Sequence, residues 1–408
     1  MKNKKLVTII GALTLSTVML LFGCGSTAGN QKQETSEAAV EQASEATPEA
    51  TESVNATMPG SESQYADQCK FVLEGKEYTL PFDYSVLEAD GWQTSTDMSQ
   101  SLDGLTYTFV YINKDGKPNI TIDVFNGSGN SKKLSECKVT SIKFKKAQLS
   151  DYSFELGNGL KPGDDKDAVE KVMGAPTESN EYDEYLTNTY GKSRDEGEIE
   201  FTWWKDEESK KNGEDQIEVS YMLREETASS SEVPDYLSEY TAPAAIGDDF
   251  DSSTFSLGGV VYQLPCPTSE FIKNGWTLTE TQDVMAGRTG YGTLEKDGVK
   301  LRVDFKNFAD YQTDGSNCAI SEIEASAYGD NPVPDFTVPK GLSLTTGKAD
   351  LEAALKTSAV EFSSSDSDSY ISYNYGDYDK GCSASFYFDK DENKITHITI
   401  GGENWPGK

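Results

Sequence analysis

Apolar and polar residues alternate along much of the chain, and the alternating stretches occur in two similar copies. The string F-x-L-x-G-x-x-Y-x-L-P spans residues 71–81 and recurs at 255–265. Each copy then reaches a Gly-Trp pair, at Trp92 and at Trp276. Over residues 71–92, nine of the 22 positions are identical at a constant offset of 184. Self-similarity at a fixed offset predicts one structural unit present twice.

A period of two predicts strands within each copy. In the first copy, Tyr107, Phe109 and Tyr111 alternate with other residues, and a Lys-Asp-Gly turn separates them from a second alternating run at 120–124. Asp-Gly tolerates the positive φ that tight hairpins need, and Lys-Asp-Gly recurs at 296–298. We therefore expect antiparallel hairpins in both copies.

Each copy also carries one segment with a helical pattern. Asp164 or Asp165 can cap a helix that contains Val169 and Met173 and ends at Gly174-Ala-Pro. In the second copy, a helix containing Leu351 follows Thr346. The predicted fold class is α+β, with two tandem modules that are each mainly antiparallel β-sheet with one helix packed on it. We place module 1 at 67–223, a linker at 224–252 and module 2 at 253–408.

The segment 159–176 resembles the helix of small bacterial lipoproteins of the SmpA/OmlA type, a helix also found in β-lactamase-inhibitor-protein-like modules. The leading F-x-L-x-G-x-x-Y-x-L-P string looks like that of uncharacterised lipoproteins of Firmicutes. These resemblances imply a helix on an antiparallel sheet and a role in binding or scaffolding.

The N-terminus has the pattern of an export signal. Lysines at positions 2, 4 and 5 precede an apolar run that ends in Leu-Phe-Gly-Cys24. This pattern predicts a signal peptide at 1–23 and a lipidated Cys24, and the alternative is a plain membrane-spanning helix. Residues 24–66 contain almost no large apolar side chain, which predicts a disordered tether. The expected location is the cell membrane, lipid-anchored and facing the extracellular side.

The chain carries a formal net charge of −33. Nucleic-acid binding needs clustered lysine and arginine, so nucleic acid is excluded as a partner. The acidic surface favours solubility, and the alternative is the capture of cationic peptides or divalent ions.

Five cysteines follow Cys24. Export permits disulfides, and the repeat suggests one per module, Cys69–Cys137 and Cys266–Cys318. Buried thiols are the alternative, because sequence cannot establish connectivity.

The sequence shows no catalytic constellation. Its single histidine, His397, lies in a strand pattern without a recognisable nucleophile motif, and no spacing of ligands predicts a metal site. We expect no enzymatic activity and no cofactor. Asp389-Lys-Asp-Glu-Asn393 begins like a calcium loop, but position six is Lys394 rather than glycine, so a hairpin turn is the better interpretation.

Aromatic side chains supply the candidate binding surface, because they offer large rigid contact area. The candidates are Tyr185, Tyr190, Trp204, Tyr373 and Tyr375, and ordinary cross-strand packing is the alternative. The predicted function is a non-catalytic binding module for an unknown protein, peptide or glycan, with the membrane as a second partner through the lipid. An enzyme inhibitor or envelope-assembly factor is the second hypothesis, and an extracellular hydrolase is the third.

Overall fold

The structure is a computed structural model that describes residues 69–327 and 332–405. The predicted signal peptide, Cys24 and the predicted tether lie outside the described residues. Within the described ranges, no helix is long and apolar enough to cross a membrane.

Antiparallel β-sheet dominates the first part of the described chain, which we call the first sheet group. Its strands are β1 (Lys70–Leu73), β2 (Lys76–Thr79), β3 (Phe82–Asp83), β4 (Gln93–Thr94), β5 (Ser101–Leu102), β6 (Tyr107–Asn113), β7 (Ile120–Phe125), β8 (Lys132–Lys133), β9 (Lys138–Lys145), β10 (Phe154–Leu156), β11 (Glu178–Glu181), β12 (Tyr185–Gly191), β13 (Glu198–Trp204) and β14 (Gln216–Ser220). Its helices are α1 (Ser85–Ala89), α2 (Lys166–Met173) and α3 (Glu207–Asn212).

The second sheet group follows the same plan. Its strands are β15 (Thr254–Leu257), β16 (Val260–Gln263), β17 (Cys266–Pro267), β18 (Thr277–Glu280), β19 (Asp283–Val284), β20 (Thr289–Lys296), β21 (Val299–Lys306), β22 (Thr313–Asp314), β23 (Ala319–Ser326), β24 (Phe336–Val338), β25 (Leu342–Ser343), β26 (Ser363–Asp366), β27 (Tyr370–Asp377), β28 (Cys382–Asp389) and β29 (Lys394–Gly402). Its helices are α4 (Thr268–Lys273) and α5 (Lys348–Lys356).

Each group is built on a nine-stranded sheet. The first sheet has the order β4-β6-β7-β9-β14-β13-β12-β11, and β3 pairs with β9. The second has the order β18-β20-β21-β23-β29-β28-β27-β26, and β17 pairs with β23. The strands therefore correspond one to one along the two sheets. One face of each sheet covers a hydrophobic core, and we call the opposite face the outer face.

The two tryptophans of the repeated string lie in matching surroundings. Trp92 follows α1 and is 3% exposed, and Trp276 follows α4 and is 6% exposed. The main-chain NH of Trp92 donates to Leu87 O at 3.0 Å, and that of Trp276 donates to Phe271 O at 3.1 Å. The same local structure thus forms at both places.

The predicted turns and the helical segments form where the sequence places them. Gly116 and Gly298 adopt φ of 71° and 80° in the two hairpin turns, and α2 ends at Gly174 with φ 85°. The expectation of one helix per module is too simple, because the short helices α1, α3 and α4 are also present. Helices of five or six residues are too short to show a helical period in sequence.

Residues 224–252 contact both sheet groups. The main-chain NH of Glu225 donates to Gly127 O, and that of Ser230 donates to Gln312 O, both at 2.8 Å. Further along, Tyr236 is 4% exposed and its ring meets that of Trp405 at 5.1 Å. The segment predicted as a linker is therefore held by hydrogen bonds and aromatic packing.

Candidate functional site

The predicted aromatic surface is divided between the two sheets. At one end of the first sheet, Tyr185 lies opposite Trp204 in register, with ring centroids 5.2 Å apart, and Tyr182 lies 4.6 Å beyond Tyr185. Tyr185 and Trp204 are both half-buried, so this trio forms an aromatic patch. Tyr190 does not belong to it. Its side chain is 0% exposed and meets Phe201 edge-on in the core.

Tyr373 and Tyr375 lie on β27 and turn towards the core of the second group. The Tyr373 hydroxyl donates to Glu352 of α5 at 3.4 Å, and the Tyr375 ring packs 5.8 Å from Phe362. These two tyrosines therefore pack within the fold instead of standing on the outer face. Tyr375 nevertheless contributes to the wall of a polar groove on that sheet.

A groove of about 480 Å³ lies on the outer face of the second sheet. Alternate residues of β23, β28 and β29, such as Ile323, Phe386 and Ile400, enter the core, so the residues between them face outwards. The groove crosses four neighbouring strands, β23, β29, β28 and β27, a width of about 14 Å at ordinary strand spacing. Its lining includes Glu322, Glu324, Asn374, Ser385, Tyr387 and Thr399.

Carboxylates dominate one side of this groove. Glu322 lies opposite Asp304 in register, and like charges in such a pair repel each other. Burial, with a contribution from Asp304, raises the pKa of Glu322 to about 7. Burial also raises the pKa of Asp304, although Arg302 opposes that shift. Arg302 contributes a guanidinium, whose Nε lies 3.9 Å from Asp304 Oδ1, but its side chain is 67% exposed.

His397 also lines the groove. Its Nε2 lies 3.7 Å from Glu324 Oε1, and its ring is 5.7 Å from that of Tyr387. Burial lowers the pKa of His397, against the opposing effect of Glu324. Across the ranges that the structure describes, no group of three or more His, Cys, Asp or Glu side chains could hold a metal ion. In the hairpin that resembles the start of a calcium loop, Asp389 Oδ1 accepts the NH groups of Asp391 and Glu392, both at 2.9 Å.

The outer face of the first sheet carries a different arrangement at matching positions. Arg194, from the loop between β12 and β13, lies 2.5 Å from Glu218 Oε1 and 3.5 Å from Asp123 Oδ2. Lys143 Nζ lies 2.8 Å from the other oxygen of Glu218. Here two cations of the chain itself pair with buried carboxylates, although burial and Glu218 still raise the pKa of Asp123 to about 6.

Three exposed aromatic residues form a stripe along β6. The sequence predicted the strand, but not that its aromatic residues face the solvent. Tyr107, Phe109 and Tyr111 of β6 are 46%, 55% and 53% exposed, because Val110 and Ile112 enter the core instead. The alternation along the strand cannot show by itself whether the aromatic residues or Val110 and Ile112 face the core.

The predicted disulfides Cys69–Cys137 and Cys266–Cys318 are not formed in the structure. Each sulfur points to a different main-chain carbonyl. Cys69 Sγ lies 3.6 Å from Ser220 O, and Cys137 Sγ lies 3.2 Å from Lys133 O. In the second group, Cys266 Sγ donates to Pro267 O and Cys318 Sγ donates to Asp314 O.

Comparison with known protein families, with curated proteins and with solved structures found no match to this chain.

Proposed function

We propose that this chain is a non-catalytic binding protein whose ligand occupies the groove on the outer face of the second sheet. The observation that carries the proposal is the groove itself, which combines two carboxylates with hydroxyl and amide groups and an exposed tyrosine ring. Polar groups that converge in a concave site beside an aromatic ring are typical of binding sites. A protein, a peptide or a glycan could provide complementary hydrogen bonds.

The proposed architecture is a tandem α+β duplication, with modules at 67–223 and 253–408 joined by 224–252. The matching strand order of the two nine-stranded sheets supports it, as do the matching surroundings of Trp92 and Trp276. In this proposal only the second copy has developed the groove.

The proposed location is the extracellular side of the cell membrane, with the chain anchored by a lipid on Cys24. The basic start, the apolar run and the Leu-Phe-Gly-Cys sequence support this location. Metabolic labelling with a fatty acid, followed by membrane fractionation, tests it. Label should be incorporated by the natural chain and lost in Cys24→Ser, and incorporation into Cys24→Ser would contradict the assignment.

Screening the full-length chain on glycan and peptide arrays tests the binding function. Thr399→Trp should fill the groove and abolish binding of the captured ligand, whereas Thr289→Trp, at an exposed position of β20, should leave it intact. Ligand capture that survives Thr399→Trp would refute the groove as the site. Chemical conversion of the ligand by the chain would refute the non-catalytic role.

A further inference from the structure

We infer that the groove binds the guanidinium or ammonium group of a basic peptide side chain. This inference rests on the proposed function, because it assigns a ligand chemistry to the same groove. The first sheet indicates which group belongs at this place in the fold.

Strand register aligns the two outer faces residue by residue. β7, β9 and β14 of the first sheet pair in the same register as β21, β23 and β29 of the second. The register places Asp304, Glu322, Glu324 and Thr399 at the positions of Asp123, Ser141, Lys143 and Glu218.

At this position the first sheet holds a guanidinium. Arg194 reaches over the sheet from the β12–β13 loop and contacts Asp123 and Glu218. The matching loop of the second sheet joins β27 to β28 and contains Lys380, which instead pairs with Asp251 at 2.9 Å and Asp377 at 3.9 Å. The second sheet therefore keeps its aspartate, Asp304, while its loop cation pairs elsewhere.

The substitutions between the two faces concentrate carboxylates on β23. Ser141 is replaced by Glu322 and Lys143 by Glu324, whereas Glu218 and Glu200 are replaced by Thr399 and Ser385. The cation that the second face gains is Arg302 at the position of Thr121, and its side chain is 67% exposed. A cation in the groove would relieve the repulsion between Glu322 and Asp304.

The rest of the groove suits a peptide side chain. Tyr387 is 40% exposed and offers a ring face on which a guanidinium can stack. Asn374 and Ser385 offer hydrogen-bonding groups across the width of the groove. A guanidinium needs only two carboxylates, whereas a metal ion needs more ligands than the described side chains bring together here.

Calorimetric titration of the full-length chain in detergent micelles at pH 8, above the raised pKa of Glu322, tests the inference. The probes are N-acetyl-arginine amide, N-acetyl-lysine amide and, as a neutral isostere, N-acetyl-citrulline amide. We expect the arginine probe to bind at least about tenfold more tightly than the citrulline probe. Glu322→Gln and Glu324→Gln should each weaken arginine binding by about tenfold, while Glu361→Gln, at an exposed position away from the groove, should leave it unchanged.

Thr399→Arg is a second variant, which adds a cation to the groove instead of removing a carboxylate. It returns an in-chain guanidinium to the position that matches Glu218, opposite Glu324 in register. It should abolish binding of the arginine probe and raise the melting temperature, a result that a misfolded variant could not give.

Equal binding of arginine and citrulline probes, or unchanged binding by both glutamine variants, would overturn the inference. The groove would remain a binding site in that event if Thr399→Trp still abolished capture from the arrays. Binding of calcium chloride in competition with the arginine probe would show a metal site and would also overturn the inference.

Discussion

The main-chain NH of Gln312 donates a hydrogen bond of 2.8 Å to the side-chain oxygen of Asn130. This bond joins the loop after β21 to the loop after β7, and therefore joins the two sheet groups. The Gln312 side chain extends the junction by donating to Ser229 Oγ at 2.9 Å. Main-chain bonds between Gly104, Gly129 and Ala286 complete it. The two groups meet through corresponding loops.

Substitution of Gly129 should destabilise this junction. A Cβ at this position would overlap the side chain of Gln312, and that side chain is 9% exposed and already hydrogen-bonded. Gly129→Val should cost about 1–3 kcal/mol of unfolding free energy, as measured by chemical denaturation. Gly376→Ala is the control, because nothing lies within 4 Å of a Cβ there. Equal stability of the two variants would show that the junction tolerates the added side chain.

Removal of Arg194 should destabilise the first sheet. Asp123 and Glu218, whose side chains are 5% and 9% exposed, would lose a shared cation. Because Arg194 is itself 37% exposed, we expect Arg194→Gln to cost about 2 kcal/mol rather than the full value for a buried pair. Arg224→Gln removes an exposed pair with Asp195 and should change stability little. Similar losses from both variants in denaturant titrations would contradict this account.

The raised pKa of Glu322 predicts a pH-dependent stability. Between its ordinary value of 4.5 and about 7, the folded chain retains a proton that the unfolded chain releases. The free energy of unfolding therefore falls as pH rises through this window. At pH 8, Glu322→Gln should be more stable than the natural chain by on the order of 1 kcal/mol, after allowance for solvent screening.

This advantage of Glu322→Gln should disappear below pH 4.5, where the carboxyl group is neutral in both states. Glu322 has several charged or titratable neighbours, namely Asp304, Arg302, Glu324, Glu403 and His397. The quantity to compare is therefore the difference in unfolding free energy between Glu322→Gln and the natural chain at each pH, because this difference removes the contributions of the neighbours that both chains share. A difference that does not vary with pH would rule out Glu322 as its source.

Four cysteines should resist alkylation in the folded chain. Burial raises the pKa of Cys69, Cys266 and Cys318 to about 12 and that of Cys137 to about 11, and the thiolate is the reactive form. Half-buried Cys382 should react first with iodoacetamide at pH 8, and the other four only after denaturation. Mass spectrometry of the labelled protein gives the order. Failure of the four to react in denaturant without reductant would establish disulfides instead.

The candidate binding surface could be predicted only in part. Tyr185 and Trp204 are cross-strand neighbours in a hairpin of two consecutive strands, β12 and β13. The contact between them therefore depends on residues that are close together in the sequence. The groove could not be predicted. Glu324 and Thr399 are far apart in sequence and become neighbours only through the pairing of β23 with β29.

The sequence by itself determined the local elements. Asp-Gly turns, the end of α2 at Gly174 and the alternation along β6 depend on backbone preferences and on periods of a few residues, which are present in any stretch of chain. The tertiary structure alone decided which face of β6 enters the core, why Tyr190 is buried, and which carbonyl each thiol meets. These outcomes depend on strand order and long-range packing, because the two faces of a strand become different only when other strands and a core cover one of them.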